Sequence, residues 1–193
     1  MLLDRLKNYK LILASSSPRR QQFFRDLNLE FEIRLKEVEE IYPEHLKAGE
    51  VTDFLAQLKA NVFELSDNEI LVTSDTIVWL DEKVLGKPKN YDDAFVILQK
   101  LSGKTHEVIT SVCLKSIQKT KIFNVITKVT FSEFTDEMIR FYLDNYKPFD
   151  KAGAYGIQEW IGLVGIEKIE GSYTNVVGLP TQKFYKELLC FIL

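Results

Sequence analysis

The chain has 193 residues, 46% hydrophobic and 27% charged, enough to bury a sizeable core as one domain or as two small lobes around a cleft. A formal net charge of −3 argues against a broad electrostatic grip on nucleic acid, which rests on many Lys and Arg contacts to phosphate. Cys113 and Cys190 form neither a disulfide framework nor a metal-ligand spacing, and neither a signal peptide nor a membrane span is expected, so a cytoplasmic protein fits best.

The first strand is expected at residues 11–14. It ends in Ser15, Ser16 and Ser17, and Pro18 then opens a helix running to Leu27. A strand followed by hydroxyl residues and a helix start aims backbone N–H groups at whatever sits above the strand. Arg19 and Arg20 can grip a polyphosphate there with guanidinium forks, although a well-capped helix with two solvated arginines explains the same pattern. A second strand over 31–35 precedes the acidic stretch 37–40. Val51, Phe54, Leu55, Leu58, Val62 and Leu65 recur at three- and four-residue steps, predicting an amphipathic helix over 51–65 with Lys59 off its apolar stripe.

Residues 70–72 read as a strand that leads through Thr73, Ser74, Asp75 and Thr76 into residues 77–80, with a hairpin turn at 81–83. A helix follows over 91–101, and strands over 107–116 and 121–131 pair antiparallel across a polar turn. Thr135 opens a helix to Asn145, and six of the nine glycines fall between Gly153 and Gly178, where the backbone turns tightly or approaches a ligand. A last helix begins at Pro180 and runs through Phe184, Leu188 and Phe191. The expected architecture is α/β (α+β): one domain over 1–193, with a mixed, curved central sheet flanked by helices and two lobes around a polyphosphate-binding cleft.

Asp75 is a charge inside strand-forming sequence, so it should face a cleft, a cation or both, unless Thr73, Ser74 and Thr76 satisfy it in a bulge. Glu39 and Glu40 offer further oxygen ligands, and a hard cation such as Mg²⁺ needs only one or two carboxylates beside substrate phosphates. Lys87, fixed between Gly86 and Pro88, can meet a phosphate, whereas His106 reads as structural. P-loop, Rossmann and nucleophile-elbow motifs are missing from the sequence.

The run Ala14-Ser15-Ser16-Ser17-Pro18-Arg19-Arg20 resembles the opening motif of the Maf family, nucleoside triphosphate pyrophosphatases also called septum formation proteins. Glu37-Val38-Glu39-Glu40, Leu55-Ala56-Gln57-Leu58-Lys59-Ala60, Ser74-Asp75-Thr76-Ile77-Val78 and Gly86-Lys87-Pro88 resemble further family blocks in order and spacing. So do the blocks at 101–106, 150–158 and 171–180, and together they span nearly the whole chain.

The resemblance implies hydrolysis between the α and β phosphates, giving a monophosphate and pyrophosphate with a divalent cation, Mg²⁺ or Mn²⁺. It makes Asp75 the residue that orients or deprotonates the attacking water and Glu40 and Asp75 the holders of the cation. Ser15, Arg19, Arg20, Lys59 and Lys87 would bind the substrate's phosphate side. Arg19, Thr76 and Gln158 match the branch acting on dTTP and UTP, and an amide such as that of Gln158 suits a pyrimidine edge. The resemblance also implies a homodimer and removal of non-standard nucleotides, with a link to cell division arrest. The alternative is a nucleotide-binding regulator of septation with slow or incidental hydrolysis. Two departures stand out: Thr73-Ser74 where Gly-Ala is common, and Glu159-Trp160 where a glycine is usual, which would reshape the base pocket or make it more acidic.

Overall fold

The computed structural model describes residues 2–193. In chain order the elements are α1 (Leu2–Leu6), β1 (Lys10–Leu13), α2 (Pro18–Asp26), β2 (Glu32–Ile33), α3 (Gly49–Asn61), β3 (Glu69–Leu80), β4 (Lys83–Leu85), α4 (Tyr91–Leu101), β5 (Thr105–Lys115) and β6 (Thr120–Phe131). Then come α5 (Asp136–Tyr146), a 3-10 turn (Ala152–Ala154), α6 (Trp160–Gly165), β7 (Ile166–Glu170), α7 (Tyr173–Val177) and α8 (Thr181–Phe191). The strands form a seven-stranded mixed sheet in the order β2-β1-β3-β5-β6-β7, with β4 on β3. β1 runs parallel to both β2 and β3, whereas β4 pairs antiparallel with β3 and β7 with β6. Four residues join β5 to β6, too few for a parallel crossover, so they form the antiparallel hairpin read from the sequence.

Helix starts follow their capping residues. Ser17 caps α2 ahead of Pro18, Asn90 caps α4 by accepting from Asp93 N at 2.9 Å, and Thr135 caps α5 by accepting from Met138 N at 3.2 Å. Most bounds shift by one or two residues, α1, α6, β7 and α7 lie outside the expected elements, and two elements end early. The second strand shrinks to Glu32–Ile33: Arg34 N still donates to Leu13 O at 3.2 Å, but β1 ends at Leu13, and Leu35 beyond it is exposed. α3 stops at Asn61 because lysines take the carbonyls at its end: Lys115 Nζ donates to Ala60 O and Phe63 O, and Lys36 Nζ to Val62 O. Val62 and Leu65 carry the apolar spacing past that end, but Val62 is exposed and Leu65 packs against the Ile12 and Leu71 cluster from outside the helix.

The chain forms two compact units. The first comprises the chain up to Asp75, residues 110–125 and residues 178–193; the second comprises residues 76–109 and 126–177. In the first unit, strand alternation sorts the core onto two faces. Leu11, Leu13, Ile70, Val72, Val112 and Leu114 pack with Phe24 of α2 and Phe184, Leu188 and Phe191 of α8. Ile12, Leu71 and Cys113 pack with Ala56 and Ala60 of α3 on the other side. Among the described residues no helix is long and apolar enough to cross a membrane.

The second unit packs α4 and α5 with Val78, Leu80, Val108, Val129 and Phe131, joined by Tyr155, Ile157 and Ile161. Gly153 has φ +69° and lies where a Cβ would stand 2.7 Å from Val78 Cγ2, so neither backbone nor space admits a side chain. His106 is buried there as expected, with Nε2 2.7 Å from Tyr155 Oη and its ring against Phe131. Burial pushes its pKa down to about 4. The folded chain therefore keeps a neutral imidazole while the unfolded chain protonates, and stability falls as pH drops from about 6.5 towards about 4 by at most about 3 kcal/mol. Urea midpoints at pH 7 and pH 5 check this: His106→Gln should show a smaller pH-dependent loss than the native chain, and an equal loss would assign it to other groups.

Candidate active site

Parity along β3 puts Leu71, Thr73 and Asp75 on the side of the sheet covered by α3, and Ser74 and Thr76 on the other. Asp75 is 6% exposed, and its Oδ1 accepts from Lys59 Nζ at 2.7 Å. Lys59 also reaches Glu40 Oε1 at 2.9 Å, so one ammonium holds two carboxylates. Asp75 Oδ2 is buried with no hydrogen-bond partner among the described residues. Leaving such an acceptor unmade costs about 1–3 kcal/mol, and in a native protein it marks a place where water, an ion or a ligand belongs.

Lys59 is not off the buried stripe of α3. The residues α3 buries are Val51, Thr52, Leu55, Ala56 and Ala60, and Lys59 follows Leu55 by four and Ala56 by three, on the same face. Counting large apolar residues alone rotated the stripe, since the two alanines carry the close contact to the sheet. A bond the sequence reading missed holds the pair in place: Thr73 Oγ1 donates to Ala56 O at 2.6 Å, two residues before Asp75 on the strand and three before Lys59 on the helix. The only signal was the departure at Thr73 itself.

The serine run after β1 folds upon itself. Ser15 is buried, and its Oγ accepts from Ser17 N at 3.2 Å and lies 3.5 Å from Arg20 Nη1, while Ser17 Oγ accepts from Arg20 N. Arg20 is a brace as well as a charge: Nε donates to Gly178 O at 2.8 Å and Nη1 to Ser74 O at 3.0 Å. Burial lowers its pKa from the ordinary value, against attraction to Asp75 and Glu40, and a guanidinium stays charged throughout. Arg19 is half-buried in the same helical turn. Ser15, Arg19, Arg20, Glu40, Lys59 and Asp75 thus all belong to the first unit; Glu39 lies there too and is exposed like Glu40, but it is Glu40 that meets Lys59.

Thr76, Lys87 and Gln158 belong to the second unit. Lys87 and Gln158 are exposed, and Gly153 N donates to Gly86 O at 3.0 Å, which ties the loop bearing Lys87 to the segment leading into Gln158. Glu159 does not present a free acid: Lys151 Nζ lies 3.1 Å from its Oε1, and the Tyr142 hydroxyl donates to its Oε2. Among the described residues no group of three or more His, Cys, Asp and Glu side chains is placed to hold a metal, so Asp75 and Glu40 form a pair of oxygen donors and not a closed cage.

A mixed α/β protein with a lysine-held strand carboxylate beside an arginine-bearing helix start is equipped to meet a phosphorylated ligand. The chain belongs to the Maf family: the family model for Maf-like protein matches residues 10–191. It is 65% identical to a dTTP/UTP pyrophosphatase of Flavobacterium psychrophilum over 98% of each chain. It is 62% identical to a dTTP/UTP pyrophosphatase of Flavobacterium johnsoniae over the full length of both, and 50% identical to one of Phocaeicola vulgatus over 97% of this chain and 98% of that one.

Removing the shared cation tests the electrostatics. Lys59→Met should destabilise the fold by about 3 kcal/mol at pH 8, since it leaves a buried carboxylate without its ion pair. The Lys59→Met/Asp75→Asn double variant should recover part of the deficit, since it removes the abandoned charge; urea midpoints read it, and no recovery would mean that Lys59 acts through packing alone.

Proposed function

We propose that this chain is a nucleoside triphosphate pyrophosphatase that cleaves dTTP and UTP between the α and β phosphates, releasing the monophosphate and pyrophosphate. The observation that carries the reading is Asp75: one oxygen is pinned by Lys59 and the other is buried without a partner among the described residues. That arrangement suits a carboxylate that orients a water, or takes its proton, for attack on phosphorus, a contribution of about 10²–10⁴ in rate. The full-length similarity to relatives named dTTP/UTP pyrophosphatase supports the same reaction and substrates.

The remaining roles follow from charge. Arg19, Arg20, Lys59 and Lys87 neutralise the triphosphate, Arg20 as a fixed charge because its guanidinium is already tied to two carbonyls. Ser15 shapes the turn under the phosphates, and Thr76 and Gln158 read the pyrimidine. The donor set fits a hard divalent cation, Mg²⁺ or Mn²⁺, because Asp75 and Glu40 are oxygen ligands that leave further positions to phosphate and water. Bound there, the cation would supply charge neutralisation of the phosphates and a more acidic water. Catalysis is then mostly positioning and charge stabilisation.

Pyrophosphate release from a panel of nucleoside triphosphates, with Mg²⁺, with Mn²⁺ and with chelator, tests the proposal. Metal-dependent release fastest from dTTP and UTP is expected, and Asp75→Asn should reduce turnover at least a hundredfold while nucleotide affinity stays within about tenfold. Nucleotide binding without release from any substrate would favour the regulator instead, and loss of affinity in Asp75→Asn would remove that residue from its assigned role.

A further inference from the structure

The turn that carries Gln158 is held from below by three side chains of the second unit. Glu159 N donates to Gly156 O at 3.0 Å, closing residues 156–159, with Ile157 buried in the core and Gln158 exposed. The Tyr142 hydroxyl, presented by α5 from a fully buried ring, brackets this turn: it accepts from Gly156 N at 3.0 Å and donates to Glu159 Oε2. One hydroxyl therefore fixes both ends of a four-residue loop.

Glu159 occupies the residue before α6 without capping that helix. Its carboxylate folds back towards Gly156, where a Cβ would stand 2.7 Å from the carboxyl carbon, so a side chain there would displace the carboxylate. Lys151, itself buried, meets Glu159 Oε1 at 3.1 Å and Asp150 Oδ1 at 2.7 Å. Burial and the neighbouring Glu159 both push the Tyr142 pKa up, which keeps the hydroxyl a donor. Both oxygens of Glu159 are engaged, and the departure at this position becomes part of a closed polar network.

We propose that Tyr142, Glu159 and Lys151 are positioning residues for base selectivity: they fix the turn that aims the Gln158 amide. This rests on the reading of Gln158 as the group that meets the pyrimidine edge. A hydrogen-bonding amide discriminates only when its direction is fixed, because a freely rotating one can satisfy a wrong base equally well. The network supplies that direction without touching substrate.

The test compares binding of non-hydrolysable α,β-methylene analogues of dTTP and dCTP, together with kcat and KM for the natural nucleotides, in the native chain, Tyr142→Phe, Lys151→Met, Gln158→Ala and the Tyr142→Phe/Gln158→Ala double variant. Tyr142→Phe and Lys151→Met should each cut the preference for the thymine nucleotide at least fivefold, through affinity and KM, with kcat on dTTP within threefold. Glu159→Gln, which keeps an acceptor for Tyr142 but loses the charge that holds Lys151, should fall between the native chain and Tyr142→Phe. In the Gln158→Ala background Tyr142→Phe should have no further effect. Lys151→Met carries the test if Tyr142→Phe does not fold. An unchanged preference in the network variants beside a collapse in Gln158→Ala overturns the proposal and leaves the base reading standing. A preference untouched by Gln158→Ala overturns both. Absence of turnover with the expected shifts in analogue binding supports this proposal while refuting the catalytic reading.

Discussion

A carboxylate buried in the middle of a strand needs a counter-charge, and Lys59 supplies it at 2.7 Å. Desolvating such a pair offsets much of its Coulombic gain, so the Lys59 to Asp75 contact does little for net stability, and the apolar faces around it must carry the fold. What the pair does is organise. The same ammonium draws in Glu40 at 2.9 Å, in the middle of a stretch with no helix or strand, and so gives an otherwise solvated acidic segment a defined place. Without that cation, two carboxylates and an exposed segment would lose their common partner.

The strand around Asp75 is held from both sides. Thr73, on the α3 side, bonds Ala56 O, and the carbonyl of Ser74 accepts from Arg20 of α2. Arg20 reaches on to Gly178 O just before α8 begins, so helix α2, the strand and the approach to α8 are clamped by one planar guanidinium. A carboxylate presented on so constrained a backbone loses little freedom when a ligand arrives, which is the condition under which charge stabilisation is effective. Arginine suits this position because its fork can serve two carbonyls and still contribute a fixed positive charge.

Much of this was legible in the chain. The serine run and Pro18 announced the start of α2, Thr135 announced α5, and Asp75 stood out as a charge in apolar strand sequence. What escaped was set by contacts distant in sequence. The carbonyls that Arg20 holds are 54 and 158 residues away, and nothing local distinguishes a bracing arginine from a phosphate-binding one. Lys59 was misplaced on its helix because Ala56 and Ala60, small enough to let α3 approach the sheet, weigh little in a count of bulky apolar residues. The length of α3 is overread for a different reason: Val62 and Leu65 keep the apolar spacing past Asn61, although Val62 is exposed there and Lys115 and Lys36 take the carbonyls.

Two acidic residues with similar sequence signals end in opposite conditions. Glu159 has Lys151 on one oxygen and Tyr142 on the other, so nothing in its surroundings asks for a ligand. Asp75 has one oxygen paired and one buried without a partner among the described residues, a deficit that a water, a cation or a substrate would relieve. Composition cannot separate these cases, since both are carboxylates within reach of a lysine. Satisfaction can: a fully bonded acid fixes a backbone turn, and a half-bonded one keeps an acceptor for a ligand. The acidic departure at Glu159 is therefore spent on the turn that holds Gln158, with both of its oxygens engaged.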